Sequence, residues 1–288
     1  MQAWRFTMKD RYTKQGFLNS EFKLFHIVDE EKKEFDYHYH DFDKLVITIR
    51  GDVSYTIEGK TYPLETYDIV FVQHNEIHRP IIHSSDPYER IIVYIAPGFI
   101  RDYKEENYNL GYCFEKAAEE HTSVLRIPSL KKHPLFKSIQ KLEQAFEDKE
   151  YAYELRRKLL FLDFMIQLNR AVLSDTLNYL HYDAINSRTS DIIKYINEHL
   201  TQELSIDAIA QHFFISKYHM MRTFKADTGY SIGNYILQKR LTLSKELIQG
   251  GTAITEVCYL CGFKNYSNFS RQYKKFFKES PKESRSNI

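Results

Sequence analysis

The chain has 288 residues, 43% apolar and 27% charged, which is enough for two domains with cores of their own and too apolar for intrinsic disorder. Three scattered cysteines, Cys113, Cys258 and Cys261, exclude a secreted disulfide framework, and the longest apolar runs, LVITI and IIVYIA, are too short to cross a bilayer. The net charge of +1 conceals an asymmetry: residues 188–288 carry 15 Lys and Arg against 9 Asp and Glu, the residues before them 25 against 30, so one end suits a polyanion. The N-terminal MQAWRFTMKD has no apolar h-region, and the expected setting is the cytoplasm, with no membrane partner.

Between residues 22 and 100, the runs KLVITIRG, VSYTIEGKTY, DIVFVQ and RIIVYIAPG alternate with turn signals. They predict a small antiparallel barrel or sandwich, with a hairpin turn at EGK, 58–60. HYHDFDK (38–44) opens the first long strand and NEIHRP (75–80) follows another, so His38, His40 and His78 are expected to converge as ligand-binding residues. The pattern resembles the cupin motif H-x-H-x3-E with a later His. In that resemblance Lys44 takes the place of the fourth, carboxylate, ligand, and a cation there opposes a bound metal. Asp41 and Asp43 alternate with Tyr39 onto the opposite face and are poor substitutes. The expectation is an organic-ligand pocket with no metal and no cofactor. The sequence shows no Gly-rich phosphate loop and no nucleophile elbow, so no catalytic residue and no enzymatic activity are expected. A cupin-type metalloenzyme tethered to a DNA-binding domain stays open as the alternative, as does a ligandless, constitutive DNA-binding protein.

From Pro134 the period changes to that of a helix. Residues 151–173 place Leu155, Leu159, Leu162, Ile166, Asn169 and Leu173 on one face and Leu160, Phe164, Leu168 and Ala171 on another. Such a helix packs on its own domain and offers a seam to a second copy. The polar HYDAINSRTS, 181–190, reads as a linker.

The last third says the same thing twice. Ile206, Ile209 and Ala210 match Ile254, Val257 and Cys258 at an offset of 48, and Met220, Arg222, Phe224 and Lys225 match Phe269, Arg271, Tyr273 and Lys274 at 49. Each copy predicts a short amphipathic helix, a turn, and a second helix opened by a capping residue, Ser216 or Asn265. That is a helix-turn-helix. Ala210 must be small where the helices cross, which makes Cys258 a packing residue, and Gly262 suits the turn after Cys261. With Met220, Phe224, Phe269 and Tyr273 turned inward, Lys217, Tyr218, Met221, Arg222, Tyr266, Ser267, Ser270 and Arg271 face out to read DNA. Arg222 and Arg271 suit guanine, while Lys225, Lys274 and Lys275 suit phosphate.

These paired units, the joining helix YILQKRLTLSKELI (235–248), the GF at 262–263, the R-x-[FY]-K in both copies, and Ser280, Pro281 and Arg285 resemble the DNA-binding domain of the AraC/XylS family of transcription regulators. The resemblance covers about residues 188–286 and departs at Lys278, where the family has Gly, and at Ser284, where it has an aromatic residue. It implies an α+β multidomain chain: a cupin-like sensor barrel (1–128), a helical dimerisation region (129–180), the linker (181–190) and a tandem helix-turn-helix domain (191–288). It further implies an activator that works as a homodimer on double-stranded promoter DNA, with RNA polymerase as a partner and a small-molecule effector such as a sugar or related metabolite.

Overall fold

The computed structural model describes residues 16, 18–127, 129–174, 178, 179 and 187–286. The N-terminal decapeptide and residues 181–186 of the expected linker lie outside them. The chain divides into two compact units, one of residues 1–57 and 61–183 and the other of residues 58–60 and 184–288.

In the first unit the apolar runs form strands β1 (Phe22–Asp29), β2 (Asp43–Arg50), β3 (Val53–Ile57), β4 (Lys60–Pro63), β5 (Ile69–Val72), β6 (His78–Ile82) and β7 (Tyr88–Ile95). Helix α1 (Pro97–Arg101), the short strands β8 (Lys104–Glu105) and β9 (Tyr108–Asn109), helix α2 (Tyr112–Glu119), β10 (Val124–Arg126), helices α3 (Pro134–Glu147) and α4 (Tyr153–Val172), and β11 (Asn178–Tyr179) follow. One six-stranded sheet has the order β1-β7-β2-β5-β10-β11 and a three-stranded sheet the order β4-β3-β6. The expected EGK turn joins β3 to β4 with Glu58 and Gly59 both at positive φ, 47° and 78°, as a two-residue hairpin turn of matching twist requires.

Strand alternation divides the larger sheet's two apolar faces. Leu45, Ile47, Ile69, Phe71, Ile91, Val93 and Ile95 join the buried faces of α1 to α4 in one core. Val46, Val70, Val72 and Ile92 point the other way and meet Tyr55, Ile57 and Tyr62 of the smaller sheet. A sheet covered on both sides explains why its strands read as nearly continuous apolar runs.

Two expectations change. His38 and His40 do not open β2, which starts at Asp43; they lie on an extended segment before it, and His38 exchanges backbone hydrogen bonds with His78 of β6 at 3.1 and 2.9 Å. Asn169 does not share the outward stripe of α4. It is buried, accepting from the Cys113 backbone N–H at 2.8 Å and donating to the Leu110 carbonyl at 2.8 Å, because α2 would otherwise bury unpaired backbone groups there.

The second unit is helical: α5 (Ser187–Glu198), α6 (Ile206–His212), α7 (Lys217–Thr228), α8 (Ile232–Gln249), α9 (Ile254–Leu260), α10 (Tyr266–Phe277) and α11 (Pro281–Ser286). Residues 187–190, expected as linker, form the first turn of α5 because Thr189 is buried and donates to Asp227 at 2.6 Å, a tertiary bond that local composition does not announce. Arg240 in the middle of α8 donates to the carbonyls of Leu200, Gln202 and Gly262 at 2.9, 2.6 and 2.9 Å, tying the entry of the first helix pair to the turn of the second.

Candidate nucleic-acid interface and barrel cavity

The sequence repeat is a structural repeat. The bounds of α6 and α9 differ by 48 residues and those of α7 and α10 by 49. Ser216 and Asn265 cap the second helices, accepting from the backbone N–H groups of His219 and Asn268 at 3.3 and 3.1 Å. Met220 and Phe224, and at matching positions Phe269 and Tyr273, are fully buried. Cys258 and Cys261 are buried with Leu241, Ile248, Val257 and Phe269, and burial pushes both thiols up. Each turn has one left-handed residue: Phe214 at φ 52° in the first unit and Gly262 at 79° in the second. Only the second needs glycine, since a Cβ on Gly262 would lie 2.9 Å from the Thr201 carbonyl.

On the outer faces, Lys217, Tyr218, Met221, Arg222 and Lys225 of α7 are exposed, as are Tyr266, Ser267, Arg271, Lys274 and Lys275 of α10, with Ser270 half-buried. Among the described residues, neither Arg222 nor Arg271 forms an ion pair, whereas Lys217 meets Asp207 of α6 at 2.8 Å in an exposed pair of little strength. His219 and Asn268 are also exposed, three residues before the two arginines and so on the same helix faces. Their equivalence at the offset of 49 is the signal that could have added them to the reading set.

A cavity of about 180 Å³ lies between the two sheets of the first unit. Cross-strand partners Lys44 and Tyr94, and Val46 and Ile92, form one wall together with Ile27 and Arg90; Tyr55 and Pro80 of the smaller sheet form the other. His38 and His40 stand at its border. Lys44 is 5% exposed and donates to the Tyr55 hydroxyl at 2.9 Å. Burial, followed by the charge of Arg90, lowers its pKa to about 7. Arg90 pairs with Asp29 at 2.7 Å. The three histidines converge, with one ring nitrogen of each within 4.8 Å of the others. Nδ1 of His38 and of His78 lies 2.8 and 2.9 Å from the carbonyls of Asp36 and Glu76, so each donates there and presents the lone pair on Nε2. Burial keeps both neutral, lowering His38 to about 4 and His78 well below its usual value. Asp43 turns away and binds the backbone N–H and Nδ1 of His74 at 2.8 and 2.7 Å.

Two sequence families match this chain: the AraC-like ligand binding domain over residues 24–165 and a helix-turn-helix domain over 209–287. The chain belongs to the AraC family of transcription regulators. Its N-terminal unit is the family's ligand-binding domain and its C-terminal unit the DNA-binding domain. The HTH-type transcriptional activator RhaS of Escherichia coli strain E24377A is 23% identical over 257 residues, covering 88% of each chain. Among solved structures, ToxT from Vibrio cholerae is 16% identical over 92% of this chain and 97% of its own, with a TM-score of 0.36. An AraC-type regulator from Chromobacterium violaceum is 28% identical over 34% of this chain and 88% of its own, with a TM-score of 0.32.

For this AraC-family chain the cupin resemblance raises the question of a metal. The three imidazoles are suitable donors, but the lysine on the same wall lowers the pKa of both His38 and His78 by its charge, and it would repel a dication in the same way. The fourth position thus suits a metal poorly.

Proposed function

We propose that this regulator is a homodimeric, effector-responsive activator whose two helix-turn-helix units read adjacent major-groove segments. The carrying observation is the repeat of exposed Arg222 and Arg271 at equivalent places on two capped helices joined through α8. Recognition helices present their N-terminal halves to base edges. Here Lys217, Tyr218, Met221, Arg222, Tyr266, Ser267, Ser270 and Arg271 form that set, with Lys225, Lys274 and Lys275 on phosphates. Support for a homodimer comes from α4, where Leu155, Leu159 and Ile166 and the adjoining Leu173 are 59, 58, 42 and 65% exposed along one side. The cavity bordered by His38 and His40, with His78 behind them, is the effector site. The name of the relative RhaS supports activation, with RNA polymerase as the partner that activation implies. The protein acts in the cytoplasm and is not an enzyme.

The test is selection of bound sequences from a random duplex library, followed by affinity against salt. Two short conserved elements about 10 base pairs apart, and log K falling with log salt by about 0.9 per neutralised phosphate, are expected. Salt-independent binding without a selected sequence would overturn the proposal. A metalloenzyme is the second reading, favoured by the convergence of the three histidine nitrogens. Stoichiometric metal in protein purified without chelators would favour it, and trace metal would favour the regulator.

A further inference from the structure

Among the described residues, Lys44 is a buried amine with no carboxylate to balance the charge of its protonated form. The other cation on the cavity wall, Arg90, is matched by Asp29 at 2.7 Å. Lys44 has no carboxylate within ion-pair distance among the described residues; its ammonium meets the Tyr55 hydroxyl, an oxygen that carries no negative charge. An ammonium offers three donors and no acceptor, and Tyr55 uses its oxygen to accept from Lys44, which leaves its own proton to donate. Tyr88, 1% exposed and also lining the cavity, has a hydroxyl with no hydrogen-bond partner among the described residues. Lone buried cations and unmade hydrogen bonds are costly, so their concentration around one cavity marks a place completed by something else.

That something must accept several hydrogen bonds and carry one negative charge. It must also fit: about 180 Å³ is close to the engineered cavity of about 150 Å³ that takes up benzene. An acyl chain of lipid length is too large. Ile27, Val46, Ile92 and the Tyr94 ring supply an apolar bed for the body of the ligand. Resting on the proposed role of the barrel as an effector sensor, we infer that the effector is a small organic monocarboxylate built on a body of about one ring, its carboxylate held by Lys44, Tyr55 and Tyr88. A neutral sugar would leave the Lys44 charge unanswered. The lowered pKa of Lys44 fits this assignment, since a carboxylate beside it would restore the ammonium.

The experiment is calorimetric titration of the full-length protein with benzoate, benzamide, glucuronate and glucose, repeated on Lys44→Met and Tyr88→Phe. The two acids distinguish an aromatic from a hydroxylated body; the two neutral compounds isolate the charge. At least one acid should bind at least tenfold more tightly than its neutral counterpart, Lys44→Met should abolish that preference, and Tyr88→Phe should weaken it several-fold. Equal binding of acid and neutral compound, unchanged by Lys44→Met, or binding of none of the four at millimolar concentration would overturn the inference. A measurement independent of ligand choice is the melting temperature without ligand. Lys44→Met should raise it, because a lone buried charge is replaced by an apolar side chain of similar length; a fall would show that the fold itself satisfies Lys44 and would refute the assignment. If an acid binds as expected while affinity for the selected DNA stays the same, the sensor role fails and the pocket chemistry stands.

Discussion

Lys278 and Gly229 close the two recognition helices in the same left-handed conformation, at φ 65° and 76°, with the N–H of each bonded back to the helix at Lys274 and Lys225. Glycine adopts this conformation freely, whereas a side chain with a Cβ is strained in it. Lys278→Gly should therefore stabilise the DNA-binding domain by about 0.5 to 1 kcal/mol, net of the entropy that glycine adds to the unfolded chain. Thermal melting should show a rise of about 2 to 8 °C. A fall would mean that the bond from the Lys278 ammonium to the Lys275 carbonyl outweighs the backbone strain.

Arg222→Ala and Arg271→Ala should each cost about 1 to 3 kcal/mol in operator affinity and relax preference at separate sets of base pairs. A randomised-site selection on parent and variants, compared position by position, checks this. If both variants lose preference at the same positions, or neither changes the selected sequence, the two units do not read DNA as assigned.

Cys258→Ala should leave DNA binding close to that of the parent, because Ala210 fills the matching place in the first unit. Removing one buried sulfur should lower stability by roughly 1 kcal/mol, as for other small core truncations. Zinc released from the parent, together with loss of DNA binding in the variant, would refute a packing role.

His26 on β1 joins Glu89 of β7, at 2.8 Å, and Glu143 of α3. Burial disfavours its charged form, but the hydrogen bonds and charges of Glu143 and Glu89 prevail and raise its pKa above 6.5. A group raised on folding binds more protons in the native state, so its contribution is complete below the unfolded value and lost as pH rises through the folded one. The urea midpoint of the parent should decline across that window more than that of His26→Gln. Parallel profiles for the two proteins would show that His26 carries no pH dependence.

If the protein is the proposed homodimer, the parent should sediment as a dimer and Leu159→Lys toward monomer in analytical ultracentrifugation, with little change in the fold because Leu159 is 58% exposed. A monomeric parent would refute the homodimer, and a dimeric variant would place the contact away from Leu159.

The helix-turn-helix pairs were legible because a repeat needs only comparison along the chain: Ile206 to Lys225 fixes where Ile254 to Lys274 must fold. The left-handed Phe214 was not, since no glycine marks it and its side chain, 95% exposed, takes no part in the core pattern. On the sensor side, alternation puts His38 and His40 on one face but gives no sign of Tyr88 and Arg90. Both faces of β7 are covered, so alternation between buried and exposed residues carries no signal there. What brings Arg90 onto the cavity wall is the non-local register that sets Thr48 opposite Arg90 and Lys44 opposite Tyr94. Lys44 itself reads from the sequence as an obstacle to a metal, and only the surrounding walls show that no carboxylate among the described residues pairs with it.

The buried amide of Asn169 has a consequence for partner choice. A cylinder bearing leucines on several sides could roll against its own domain and show a second copy a different stripe at little cost. By gripping the Cys113 N–H and the Leu110 carbonyl at 2.8 Å each, Asn169 works as a key in a slot and fixes the azimuth of α4. Which leucines are offered outward is thereby decided within one subunit, before any second subunit arrives.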